Sequence, residues 1–284
     1  MKLGLLGAGG AALLGACGGT KPSVLPAPVA GPEPPSAAAP SGPLHYRLRS
    51  PLIYVVERYD SLFYASMPGA PQGTAKRGIL TVRPIPGRSN DLEVRLDSLM
   101  ALEETRMTPA AVDSAIGSHW QFTLSPSGPK GPMLGGHPSI LAGQIEAVVR
   151  LLFPPLPQGG LGDQDVWSDS TAYRLQLDAF DALESAARTS QAVPGTPSPA
   201  AGVTVEANER LSRSGTVTQA GQMMTLKGAG MRRLRYEFAL DGWVIRLTAR
   251  DSLDLTVTVG SGGETVPVRW RSTLIGRLRD LPIR

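Results

Sequence analysis

The 284-residue chain has one cysteine, Cys17, and only three histidines. A single cysteine excludes an intrachain disulfide and every metal site built from several thiolates. The histidines His45, His119 and His137 lie far apart, and none has a second histidine or an acidic residue at the spacing of helical metal ligands. The sequence therefore predicts no metal site and no cofactor.

The common catalytic signatures are also missing. No G-x-S-x-G nucleophile elbow occurs, and the one S-x-x-K match, residues 127–130, contains a Gly-Pro pair that prevents the helix this motif requires. Asp163, Asp165 and Asp169 are spaced as in a calcium loop, but the other ligand positions of that loop hold unsuitable residues. These absences favour a non-enzymatic protein, with a hydrolase of dispersed residues as the least favoured alternative.

The chain lacks a strong charge of one sign. Its net charge is +4, and the densest basic run consists of Arg232, Arg233 and Arg235. Nucleic-acid binders usually combine a basic face with a recognisable reading element, and no such element is present. We therefore expect no nucleic-acid partner. A content of 42% hydrophobic and 18% charged residues is typical of a globular protein.

Long hydrophobic runs are missing except near the start, where residues 3–14 are apolar but too few to span a bilayer. Gly7, Gly9 and Ala12 match the G-x-G-x-x-G/A pattern of a dinucleotide-binding loop. That loop needs a preceding strand and an acidic residue about 20 positions later in a second strand. Too few residues precede Gly7, and Glu33 lies among prolines, so the pattern does not indicate a nucleotide site.

The same segment fits an export signal. Lys2 precedes the apolar run, which ends in Leu14-Gly15-Ala16-Cys17. This ending resembles the lipobox of bacterial lipoproteins. The resemblance implies that residues 1–16 are a signal peptide and that Cys17 becomes the acylated first residue, anchoring the protein to a membrane. The alternative is a plain secretory signal followed by an incidental cysteine.

Further expectations follow from the residues after Cys17. Gly18, instead of aspartate, favours the outer membrane under the usual sorting rule, so the expected location is the cell envelope. Residues 20–43 contain eight prolines and no periodic apolar face. Because proline fixes φ and removes a hydrogen-bond donor, residues 17–43 are predicted to form an extended tether. A single β-rich domain is expected over residues 44–284.

Apolar residues alternate with polar ones through most of this domain, which predicts β-strands. The pattern is clear around Leu52–Val56, Ile79–Val82, Leu92–Leu96 and Trp120–Leu124. In the last third it predicts an antiparallel meander, in which Asp241-Gly242 is typical of a two-residue hairpin. The predicted fold class is mainly β (α+β): a curved antiparallel sheet or half-barrel with one main helix.

Two helices are predicted. Ser139 to Phe153 carries a continuous apolar face, and a short helix is predicted to begin at Thr108-Pro109 and end at Gly117. Residues 178–187 fit either a helix or a strand.

Residues 120–124 and 236–240 are similar to each other: each has an aromatic residue, an amide or acid, Phe, a small residue and Leu. Two related β units, 44–138 and 166–284, joined by a helix and loop over 139–165, would explain this similarity. Chance would explain it equally well.

The layout of anchor, tether, antiparallel strands and central helix is similar to envelope lipoproteins whose curved sheet forms a cradle, such as lipoprotein carriers and mycobacterial lipid-binding lipoproteins. Phe153-Pro154-Pro155-Leu156-Pro157, with Gly162-Asp163 and Val166-Trp167-Ser168-Asp169, resembles uncharacterised bacterial lipoproteins with an FPxLP…GDxW stretch. Gln164-Asp165 is inserted here relative to that pattern. This narrower resemblance implies no known activity.

These observations lead to two leading functional hypotheses. In the first, the cradle binds a hydrophobic or lipid-like ligand, which requires a cavity of several hundred Å³ between the sheet and helix 139–153. In the second, the core is filled and the protein contacts another envelope component, whose identity the sequence does not indicate. The residues predicted to line the ligand site are Trp120, Phe122, Tyr236, Phe238, Trp243 and Trp270.

Overall fold

The computed structural model describes residues 44–47, 51–64, 72–102, 107–135, 139–162, 165–177, 180–193, 202–219, 222–260 and 263–279. The predicted signal peptide, Cys17, the tether, His137 and Asp163 lie outside the described residues. All of the described residues belong to one compact unit.

Eleven antiparallel strands form one open sheet, in the order β5-β4-β3-β2-β1-β11-β10-β9-β8-β7-β6. The strands are β1 (Leu52–Tyr64), β2 (Gln72–Pro84), β3 (Asp91–Ala101), β4 (His119–Ser125), β5 (Gly128–Gly135), β6 (Val166–Leu177), β7 (Phe180–Val193), β8 (Val203–Gln219), β9 (Gln222–Phe238), β10 (Val244–Val259) and β11 (Glu264–Leu278). The predicted fold class, a mainly β curved antiparallel sheet with a main helix, is confirmed.

The order of the strands explains where the sheet is open. The chain adds strands outward from β1 to β5, crosses to the opposite edge, and then adds β6 to β11 back toward β1. The last strand, β11, pairs with β1 in the middle of the sheet, for example with Leu278 opposite Tyr54. The open edges are therefore β5 and β6.

Two helices accompany the sheet: α1 (Pro109–Ala115) and α2 (Ile140–Leu152). The Ser139 side chain caps α2 by accepting a hydrogen bond from the Ala142 backbone N–H, as side-chain oxygens do at helix starts. The buried side of α2 includes Ile145, Val149 and Leu152. Both predicted helices are confirmed, with Thr108 capping α1. We call the face of the sheet that α2 covers the inner face, and the opposite one the outer face.

The FPPLP segment lies between the two open edges. The Leu156 backbone N–H donates to the Ser127 carbonyl beside β5 at 2.7 Å. The Trp167 indole of β6 donates to the Pro155 carbonyl at 3.2 Å, and the Tyr46 hydroxyl donates to the Pro154 carbonyl at 2.9 Å. This segment therefore joins the edges at one end of the sheet.

The predicted strands of the first and last thirds of the domain are confirmed, but four strands were not recognised in the sequence. These are β5, β6, β8 and most of β7, and the ambiguous residues 178–187 belong to β7 from Phe180 onward. A hairpin is present at Asp241-Gly242, as predicted, but its loop is longer than the two residues expected. Residues 239–243 connect β9 to β10, with the Ala239 N–H donating to the Trp243 carbonyl at 2.8 Å.

Candidate functional site

The inner face carries two separate apolar clusters. The larger contains the buried side of α2 and inner residues of β1–β4 and β7–β11, such as Leu80, Trp120 and Leu247. The smaller contains only strand residues among those that the structure describes, including Leu253, Val268 and Trp270. A row of charged side chains separates them.

This row, which we call the charged ladder, follows directly opposite register positions across seven neighbouring strands. Acidic and basic residues alternate over its first five strands, and a serine and a further acid follow on the last two. From β6 to β1 the members are Asp169, Arg188, Glu209, Arg232, Asp251, Ser272 and Asp60. Cross-strand neighbours of opposite charge stabilise a sheet, since their Cβ atoms are only about 5 Å apart.

Arg232 on β9 is the centre of the ladder. Its Nε and Nη2 donate to the two carboxylate oxygens of Asp251 at 2.8 and 3.0 Å. Its Nη1 donates to Glu209 at 3.0 Å and to Glu184 of β7 at 3.3 Å. The Arg232 side chain is only 4% exposed and Glu184 is fully buried, so these charges depend on one another for solvation.

A second short row strengthens this centre. Glu184 also accepts hydrogen bonds from the Arg213 Nε and the Tyr173 hydroxyl. Burial alone would raise the pKa of Glu184, but the charges of Arg232 and Arg213 outweigh it and lower the pKa to about 2. Glu184 is therefore ionised at neutral pH.

The ladder continues to helix α2 through β1 and β2. Burial would raise the pKa of Asp60, but Arg58 and Lys76 lower it, together with a hydrogen bond from the Ser272 side chain. The Arg58 Nη1 also donates to the Gln144 carbonyl at 3.4 Å, and the Lys76 ammonium donates to the Gln144 side-chain oxygen. Gln144 therefore attaches α2 to the charged ladder.

Several buried polar atoms at the other end of the ladder have no hydrogen-bond partner among the described residues. They are both carboxylate oxygens of Asp169, Nη1 of Arg188 and the hydroxyl of Tyr236. Burial raises the pKa of Asp169. The charge of Arg188 lowers this pKa and the charge of Glu209 raises it, so the net effect is a rise. Buried polar atoms normally have partners, so a water or a polar ligand group would be stabilised here.

Trp270 connects the ladder to the smaller apolar cluster. The Arg213 guanidinium carbon lies 3.8 Å from the centroid of the Trp270 ring, and that of Arg58 lies 5.5 Å away. A cation over an indole face is attracted by the ring quadrupole. The inner face therefore changes from charged to apolar at Trp270.

All six predicted ligand-lining residues are buried on the sheet or at its β9–β10 turn. Trp120, Phe122, Tyr236, Phe238 and Trp243 belong to the larger cluster, and Trp270 belongs to the smaller one. Several of these rings contact other rings: Phe122 and Trp243 each pack edge-on against Phe153 of the FPPLP segment. Their role in ligand binding remains a prediction.

The space between α2 and the sheet is small. A cavity of about 20 Å³ lies between the helix and the charged ladder, bounded by Gln144, Val148, Arg58, Arg232 and Leu274 among others. That volume is close to what one water molecule needs. It is far below the several hundred Å³ expected of a preformed lipid site.

A larger open groove of about 500 Å³ crosses β6, β7 and β8, lined mostly by small residues such as Ser170, Ala187 and Ser212, with Arg210 beside them. Small side chains leave the backbone close to the surface, so this groove is shallow.

Sequence reasoning missed the charged ladder because buried charges are rare unless paired. One signal was present: Glu184 and Arg188, like Glu209 and Arg213, are four residues apart. Four is an even spacing, so opposite charges in a strand share one face.

The described residues also lack two further kinds of feature. They contain no group of three or more histidine, cysteine or acidic residues that could hold a metal ion. No helix in them is both long and apolar enough to cross a membrane. His119 is exposed on β4.

No protein-family model matches this chain, and no curated protein sequence matches it.

Proposed function

We propose that this protein is an envelope lipoprotein, anchored through acyl chains on Cys17, that binds a hydrophobic or lipid-like ligand on the inner face of its sheet. The observation that carries this proposal is the charged ladder between two apolar clusters. An amphiphile has an apolar part next to a polar part, as do the smaller cluster and the ladder beside it. The ligand's apolar part would contact the cluster around Trp270, and its polar part would meet the ladder.

Helix α2 would act as a movable cover. Its N-terminal half lies over Arg58, Lys76, Arg232 and Asp251. Gln144 accepts hydrogen bonds from Arg58 and Lys76, and the small cavity separates the helix from Arg232 and Asp251. The N-terminal half of α2, which packs on these charged groups, buries less apolar area than the C-terminal half buries in the larger cluster, so separating the N-terminal half costs less free energy. Ligand entry would displace α2 and enlarge the 20 Å³ cavity.

Mass spectrometry under native conditions tests the proposal. The protein is purified from its host membranes, exchanged into a mild detergent, and compared with the Gln144→Ala variant. We expect an added mass equal to one lipid beyond the acyl chains on Cys17, and a higher loaded fraction in Gln144→Ala because α2 is released from Arg58 and Lys76. Ile140→Ala, at an exposed position of the same helix, serves as the control and should match the wild type.

A second function is favoured by the small cavity and the ring contacts of Phe153. If the core stays filled, the protein acts as an assembly lipoprotein that contacts another envelope component through its surface. Absence of added mass in all three proteins would contradict ligand binding. Crosslinking in intact cells would then identify the partner.

A further inference from the structure

The outer face of β8–β11 and β1 carries a basic patch that the sequence does not reveal. Two adjacent cross-strand rows contain ten residues, of which four are arginines and none is acidic. The first row is Asn208, Arg233, Arg250, Thr273 and Tyr59; the second is Arg210, Met231, Ser252, Arg271 and Ser61. We call these two rows the arginine patch.

The arginines of the patch lack acidic partners. Arg210, Arg233 and Arg250 are exposed, and none of them forms an ion pair with an acidic group of the described residues. Arg233 lies directly opposite Arg250, and like charges in that position repel each other. Two rows farther along the outer face, beyond the row that contains Glu206 and Glu57, Arg246 and Arg277 are a second directly opposed pair, with Arg246 also facing Glu237. An anionic surface would relieve this repulsion.

Large apolar side chains accompany the arginines. Tyr59 and Met231 are 37% and 42% exposed within the patch, and Phe63 is 41% exposed next to Arg269. Aromatic side chains such as tyrosine favour the headgroup level of a bilayer, because there the apolar ring contacts lipid while the polar end of the side chain stays hydrated. Arginines with aromatic residues on an extended sheet surface match a lipid interface better than they match a narrow polyanion.

We propose that the arginine patch docks the domain onto the surface of a bilayer that contains anionic lipids. Docking would turn the outer face toward the lipid headgroups and leave the inner face pointing away from them. This contact is separate from the anchor on Cys17, and it requires neither a ligand nor movement of α2.

Binding to vesicles tests this proposal. The full chain carrying Cys17→Ser, which cannot be acylated there, is mixed with vesicles of phosphatidylcholine alone or with 30% phosphatidylglycerol. We expect stronger binding to the anionic vesicles, and loss of most of the difference in 1 M salt, since salt screens surface charge. Arg233→Gln/Arg250→Gln in the same background should lower binding to the anionic vesicles about 25-fold, since each arginine near such a surface contributes about fivefold.

Two matched variants interpret the result. Arg233→Lys/Arg250→Lys keeps both charges and should retain binding. Arg88→Gln/Arg95→Gln removes the same charge from exposed positions at and before β3, several strands away, and should bind like the parent chain. Equal loss in this control, or no preference for anionic vesicles, would overturn the proposal. Binding to soluble heparin without binding to vesicles would also overturn it and point to a polyanion.

Discussion

Arg232 shows how much one residue contributes to this structure. Its guanidinium contacts Asp251, Glu209 and Glu184 at once. Burying charges costs several kcal/mol per ion, and attraction between well-placed, hydrogen-bonded charges offsets most of that cost. The buried charges of the ladder are therefore stable only together. Loss of the Arg232 guanidinium would remove one cationic partner from each of three buried acids.

We therefore expect Arg232→Met to lower the free energy of unfolding by about 3–5 kcal/mol, the usual cost of breaking a buried charge pair. Urea denaturation measures this change. Arg233→Gln is the control: it is the next residue in the chain but faces outward, so its effect should stay within about 0.5 kcal/mol. Similar losses in the two variants would show that the ladder has no special role in stability.

The acid sensitivity of the protein should depend on Glu184. Its pKa falls from an ordinary 4.5 to about 2 in the folded protein, so the unfolded chain binds the proton more readily. Its contribution is fully present above pH 4.5 and is lost as the pH falls toward 2. The shift corresponds to about 3 kcal/mol.

Denaturation at a series of pH values tests this expectation. Glu184→Gln should be less stable than the wild type at pH 7 but should lose less stability between pH 4.5 and 2. Glu206→Gln removes an exposed acid that pairs with Arg235 on the outer face, and it should keep the wild-type pH dependence. A wild-type slope in Glu184→Gln would contradict the assignment.

Among the elements, β9 carries two glycines on its inner face, Gly228 and Gly230, where the backbone of β10 comes close. A Cβ at Gly228 would overlap the Asp254 carbonyl oxygen, and a Cβ at Gly230 would overlap that of Ser252. Glycine inside a strand often marks such a close backbone approach.

Gly230→Ala should therefore lower the free energy of unfolding by about 2–3 kcal/mol, as overpacking does in a filled core. Thermal or urea denaturation provides the measurement. Gly159→Ala, where an added methyl group meets no atom within 4 Å, should change stability by no more than about 0.5 kcal/mol. If Gly230→Ala is as stable as Gly159→Ala, the backbones are not in close contact.

The elements also show which strands could be predicted from the sequence. In β3 and β4 the inner positions are apolar, and in β10 they are apolar except for Asp251, so alternation identifies these strands. In β7 and β8 the inner positions include Glu184, Arg188, Glu209 and Arg213, and these charges break the apolar alternation. Strand β5 was missed because its glycines and prolines are typical of loops.

At the scale of the whole molecule, the charged ladder and the arginine patch differ in their balance of charge. Near the ladder, the inner face holds five basic residues (Arg58, Lys76, Arg188, Arg213 and Arg232) and five acidic ones (Asp60, Asp169, Glu184, Glu209 and Asp251), and it is balanced. The arginine patch on the outer face contains four arginines and no acidic residue, so it has an excess of positive charge. The basic run at 232–235 contributes to both faces, because neighbouring residues of a strand point in opposite directions.

Membrane attachment should reflect both the anchor and the patch. Cys17→Ala should release the protein from membranes in 1 M salt, because stable attachment needs more than one signal and salt screens the arginines. Cell fractionation followed by immunoblotting measures the membrane-bound share. The wild type should stay bound in salt, and persistent binding of Cys17→Ala in salt would refute lipidation as the anchor.

The sequence by itself determined the local features: the mainly β class, both helices with their caps, and the strands whose apolar residues alternate. These depend on neighbours along the chain. Only the tertiary structure decided the strand order, the joining of the open edges by the FPPLP segment, the charged ladder and the arginine patch. Each of these depends on the register between strands, which brings residues far apart in sequence to opposite positions, and a single sequence does not encode that register in any local pattern.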